Sequence, residues 1–121
     1  MATPLLICDD SNMARKQVQK SLPASWDVEI TFAVNGAEGL AAIRAGKGEI
    51  VFLDLTMPVL DGFGVLEAIR ADDLNAVVIV ISGDIQPQAK ERVMSLGALD
   101  FIQKPINPEK LCATLERFGL L

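Results

Sequence analysis

Five polar residues stand where apolar runs break off. Asp9 and Asp10 follow Leu5–Cys8, Asp54 follows Ile50–Leu53, Ser82 follows Ala76–Ile81, and Lys104 comes shortly after Leu99–Ile102. Carboxylates brought together repel one another unless a cation sits among them, and a hard divalent ion with oxygen ligands, Mg²⁺ first, is the natural occupant. Magnesium keeps several waters and takes one or two carboxylates plus phosphate oxygens, so such a set awaits a phosphoryl group. The Ser82 hydroxyl and Lys104 ammonium can bond that group's oxygens, and Asp54 can be its acceptor, since carboxylates form acyl phosphates. Taken singly, each residue has a plainer reading: Asp54 solvating a strand end, Asp9-Asp10 capping a helix, Ser82 a strand-end hydroxyl, Lys104 a solvated surface charge. Their joint placement separates the two readings.

That placement depends on the elements. Leu5–Cys8, Ile50–Leu53 and the β-branched run Ala76–Ile81 are continuously apolar, as strands buried on both faces are, whereas Asp27–Phe32 alternates and Leu99–Ile102 is short and carries Asp100. The first three are therefore central and the last two are edges. Helices are expected between and after them: from the Asp9–Asn12 cap to Leu22, from Asn35 to the glycines at 46 and 48, after an Asp61–Gly64 turn, from Gln88 to Leu96 with Gly97 as a left-handed cap, and from Asn107-Pro108-Glu109 onward. Five strands alternating with five helices give an α/β, doubly wound five-stranded parallel sheet of order 2-1-3-4-5, with helices on both faces. All its carboxyl ends share one rim, and the order reverses between strands one and three, where ligands bind.

The 121 residues are half hydrophobic, and residues 1–121 read as one domain with a core of its own. There is no signal pattern, no apolar run near the ~20 residues of a membrane helix and no repeat, so a soluble, cytoplasmic protein is expected. Eleven basic against sixteen acidic residues, without a basic cluster, argue against direct nucleic-acid binding. The absence of histidine excludes a Ser/His or Cys/His pair and a phosphohistidine within this chain. Cys8 and Cys112 read as small core residues, not as a disulfide.

Asp9-Asp10, Asp54-Leu55-Thr56-Met57-Pro58 with Asp61-Gly62, Ser82-Gly83, and Gly97-Ala98 through Phe101 to Lys104-Pro105 together resemble a response-regulator receiver domain of the CheY-like, chemotaxis kind. The resemblance covers essentially the whole chain and implies the flavodoxin-like, CheY-like three-layer sandwich of two-component signalling. It implies that Asp54 accepts a phosphoryl group from the phosphohistidine of a sensor histidine kinase or phosphotransfer protein. Mg²⁺ would be held by Asp10, by Asp9 directly or through water, by Asp54 and by the Thr56 carbonyl. Ser82 would be the switch hydroxyl, Lys104 the phosphate partner and Phe101 the switch aromatic, with a cis bond before Pro105. A downstream partner or output domain would read the face made by helix four, strand five and helix five, where Lys90, Met94, Gln103, Lys110 and Arg117 are candidates.

Some positions depart from the family's habit. Gly83 stands where alanine is frequent, and Phe101 where tyrosine is, while Thr56 and Asp84 occupy positions that influence how fast the phosphoryl group hydrolyses. The chain is expected to catalyse only its own phosphorylation and dephosphorylation. A metal-dependent phosphohydrolase of the haloacid-dehalogenase kind would carry a second aspartate where Thr56 stands. A flavodoxin-like cofactor module would carry a glycine-rich phosphate loop after strand one, and a never-phosphorylated interaction module would not need these residues at all.

Overall fold

Strands and helices alternate along the chain in the computed structural model, which describes residues 2–83 and 86–121. The strands are β1 (Thr3–Cys8), β2 (Val28–Ala33), β3 (Ile50–Leu53), β4 (Val77–Ser82) and β5 (Asp100–Gln103). The helices are α1 (Asn12–Ser21), α2 (Gly36–Arg44), α3 (Gly62–Ala71), α4 (Pro87–Ser95) and α5 (Pro108–Arg117). The strands pair in parallel in the order 2-1-3-4-5, as the burial pattern requires.

The central strands feed two cores, because successive side chains leave opposite faces of a sheet. Leu6, Val51, Leu53, Val78 and Val80 meet Ile43 of α2, Leu66 of α3 and Val93 of α4. Leu5, Ile7, Phe52, Ile79 and Ile81 meet Val18 of α1 and Leu111 and Leu115 of α5. The result is three layers, with α1 and α5 on one side and α2, α3 and α4 on the other.

Local chemistry sets the boundaries. Ser11, Asn35, Asp61 and Asn107 each cap a helix by accepting a backbone N–H with the side chain, and Pro87 and Pro108 open α4 and α5, where no N–H is needed. Gly97 has a φ of 101° and closes α4 as expected. Asp61–Gly64, read as a turn, is already helical from Gly62, because Asp61 accepts the Gly64 N–H at 2.8 Å. Ser82 and Gln103 pair within the sheet, so β4 and β5 each reach one residue beyond the apolar pattern. On β2 the alternation holds at Val28 and Ile30 but not at Phe32, which is 44% exposed because it faces the polar side of α1 at Asn12, Arg15 and Gln19.

Candidate functional site

The sheet itself aims the site residues. Asp9, Asp54 and Lys104 each sit just past a strand end, yet each still donates its backbone N–H to a neighbouring strand: Asp9 to Ala33 O at 3.0 Å, Asp54 to Cys8 O at 2.9 Å and Lys104 to Ser82 O at 2.9 Å. Their backbones are thus as rigid as the ladder, and their side chains emerge at the carboxyl rim where the strand order reverses. The Asp54 loop is fixed from below as well. Gly62 N–H bonds Leu55 O at 2.9 Å, and a Cβ on Gly62 would overlap the Asp54 carbonyl.

The structure brings Asp9, Asp10 and Asp54 together, with one carboxylate oxygen of each within 4.8 Å of the others. Asp9 and Asp54 are buried, 4% and 7% exposed, while Asp10 faces solvent. Lys104 bridges the buried pair, donating from Nζ to Asp9 Oδ2 at 3.0 Å and to Asp54 Oδ1 at 3.3 Å. Burial, and next the charge of Asp9, push the Asp54 carboxyl above the ordinary carboxylate range against the opposing pull of Lys104 and the Leu55 N–H. Burial alone would lower Lys104, but its hydrogen bond to Asp9 and the charges of both aspartates outweigh that and hold the ammonium up. The Lys104 ammonium between the two buried carboxylates therefore stays protonated. Three carboxylates around one ammonium leave a local excess of negative charge, and this all-oxygen donor set suits Mg²⁺.

Ser82 is buried at the end of β4, the strand beside β3, and Thr56 is exposed two residues past Asp54. Phe101 is half-buried on β5 and packs against the core on the α4 side. Lys90, Met94, Gln103, Lys110 and Arg117 are all exposed. Four of them line, with Phe101, a groove over β5 between α4 and α5; Met94 does not. Within it Arg117 pairs with Asp100, and Lys110 donates to Pro105 O at 3.1 Å. The Lys104–Pro105 peptide is cis. Gly83 is exposed, and a Cβ there would meet none of the described residues within 4 Å, so packing against them does not demand glycine. Asp84 lies outside the described residues.

Cys8 is a core residue as expected; burial, followed by the charges of Asp9 and Asp54, pushes its thiol up to about 12, so it stays protonated. Cys112 is half-buried and free. Two contacts were not legible in the motifs. Ser11 N–H donates to Asp9 Oδ1 at 2.9 Å, and the Arg15 guanidinium reaches back from α1 to the Asp9 carbonyl at 2.7 Å. The signal for Arg15 was available: helical side chains lean toward the N-terminus, and a long cation in the first turns can reach the loop before it.

Residues 5–116 match the response regulator receiver domain. The chain belongs to that family. It is 32% identical over 117 residues to the chemotaxis protein CheY of Treponema pallidum, covering 95% of this chain and 79% of that protein. It is 37% identical over 102 residues to protein-glutamate methylesterase/protein-glutamine glutaminase 3 of Geobacter sulfurreducens, covering 84% of this receiver. The chain spans little more than a quarter of the length of the methylesterase relatives it matches. In a solved CheX-CheY-BeF3-Mg complex from Borrelia burgdorferi, the matched chain superposes with a TM-score of 0.84 at 31% identity, covering 94% of this chain and 87% of that one. The receiver fold and family are therefore established together. No helix among the described residues is long and apolar enough to cross a membrane.

Proposed function

We propose that this receiver is a phosphorylation switch in which Asp54 takes a phosphoryl group from the phosphohistidine of a sensor kinase or phosphotransfer protein. The observation that carries this reading is the convergence of Asp9, Asp10 and Asp54 within 4.8 Å, with Lys104 bonded to two of them. An Asp54 carboxylate oxygen forms an O–P bond as the donor's N–P bond breaks, and the bond pair returns to the donor imidazole. Asp10, Asp9 directly or through water, Asp54 and the Thr56 carbonyl would hold Mg²⁺, which supplies positive charge to offset the phosphoryl oxygens. Lys104 leaves Asp54 Oδ1 for a phosphoryl oxygen, and Ser82 donates its hydroxyl to another.

Drawing Ser82 toward the new dianion vacates space that an inward Phe101 fills, and the groove between α4 and α5 changes its affinity for a partner. The receiver catalyses only its own phosphorylation and dephosphorylation; Thr56 stands where a phosphohydrolase of the aspartyl-phosphate kind needs a second acid. Incubation with Mg²⁺ and a small acyl phosphate, read by intact mass, should add one phosphoryl group to the native chain and none to Asp54→Asn. No adduct, or turnover of added phosphate esters, overturns the reading.

A further inference from the structure

Asp9 and Asp10 are needed together at the rim, yet they are held very differently. Asp9 is fixed at four atoms: its N–H by Ala33 O, Oδ1 by Ser11 N–H, Oδ2 by Lys104, and its carbonyl by Arg15 Nη1 at 2.7 Å. Asp10 is exposed, and among the described residues no hydrogen bond or ion pair restrains its carboxylate. Its position comes only through the backbone, and the peptide plane joining it to Asp9 is the one whose carbonyl Arg15 grips. The same guanidinium donates from Nη2 to Asn12 Oδ1 at 3.3 Å, and the Arg15 N–H bonds Ser11 O at 3.0 Å. Arg15 thus ties the end of β1 to the first turns of α1 across the acidic pair.

We infer that Arg15 is a positioning residue for metal binding: its guanidinium sets the Asp9–Asp10 peptide plane so that the exposed Asp10 carboxylate is held toward Asp9 and Asp54 before any cation arrives. The inference rests on the proposed function, since it concerns the affinity of that acidic cluster for Mg²⁺. Groups that orient ligands in this way are worth about 10-fold to 100-fold in metal affinity when removed. A simple charge effect has the opposite sign, because deleting a nearby cation makes a carboxylate cluster more attractive to Mg²⁺. The two effects can therefore be told apart by direction.

The test is calorimetric titration of Mg²⁺ into the unphosphorylated chain, with melting in chelator as a check on folding. Arg15→Met, which removes both side-chain bonds and the charge, should weaken Mg²⁺ binding about 10-fold. Arg15→Lys, which keeps the charge and can still reach the Asp9 carbonyl, should recover most of the loss. Asn12→Ala, which leaves the carbonyl bond but frees one end of the guanidinium, should give a smaller loss, and it carries the test if Arg15→Met fails to fold. Unchanged or tighter binding by Arg15→Met, or no loss in Asn12→Ala where Arg15→Met cannot be measured, overturns the positioning role. Failure of the native chain itself to bind Mg²⁺ overturns the proposed function, and this inference with it.

Discussion

Replacing Lys104 with Met keeps the apolar stem but removes the ammonium that bridges Asp9 and Asp54. The mutual repulsion of the two buried carboxylates is then no longer offset by the attraction of Nζ for oxygens at 3.0 and 3.3 Å. At about 3 Å that attraction is about 5 kcal/mol per pair at an effective dielectric of about 20 and about 1.4 kcal/mol in water. The lysine side chain is 30% exposed, so water screens the pairs, and removing the ammonium also removes the cost of burying it, which leaves about 2 kcal/mol as the expected loss of stability. For a chain of this length that corresponds to roughly 8 °C in Tm. A bound divalent cation can do what the ammonium did, and Asp9 Oδ2 is no longer shared with Lys104. The variant should therefore bind Mg²⁺ more tightly than the native chain, and excess Mg²⁺ should close more than half of the gap. Thermal and urea melts followed by circular dichroism, in chelator and in Mg²⁺, provide the assay. An equal loss in both buffers, or none in chelator, would show that Lys104 does not offset the charge of Asp9 and Asp54.

Asp54→Asn should stabilise the protein at neutral pH. The folded state holds the Asp54 proton more tightly than the unfolded chain does, so ionised Asp54 is a burden that is full above its raised folded value and disappears as pH falls toward 3.8. The advantage of Asn over Asp should accordingly shrink as pH is lowered toward 4; an advantage constant with pH contradicts the assignment. Gly36→Ala should cost about 2 kcal/mol in urea melts, because a Cβ there overlaps the Leu60 carbonyl that accepts the Gly36 N–H, and the loop after Asp54 would be pushed off α2. Val59→Gly should raise the unfolding free energy from urea melts by about 0.5–1 kcal/mol. Val59 is 82% exposed with a φ of 69° in a tight turn closed by Leu60 N–H to Pro58 O, so the substitution relieves backbone strain and loses no packing.

The layer order was legible because burial on both faces leaves no polar position in Leu5–Cys8, Ile50–Leu53 or Val78–Ile81, and the strand order then placed Asp9, Asp54, Ser82 and Lys104 on one rim. Caps were legible at Asn35 and Asn107, where a short polar side chain precedes a helical pattern, and at the Asp9–Asn12 cluster, within which Ser11 proves to be the cap. Asp61 was not, because Gly62 and Gly64 read as turn residues; they are glycine because backbone and Leu60 crowd their Cα atoms, not because the chain turns there. Phe32 was misplaced because strict alternation says which side of the sheet a residue takes, but not whether a helix covers that end of the strand. The lean of helical side chains brings Arg15 within reach of the loop before α1, but a bond to a backbone carbonyl leaves no partner residue in the sequence to single it out.

In the proposed switch the phosphoryl group goes to Asp54. Borohydride reduction of the chain after reaction with an acyl phosphate and Mg²⁺ converts an aspartyl phosphate to homoserine, which peptide mass mapping locates. Homoserine at position 54 alone is the predicted result; homoserine at position 9 or 10, or at none, contradicts it.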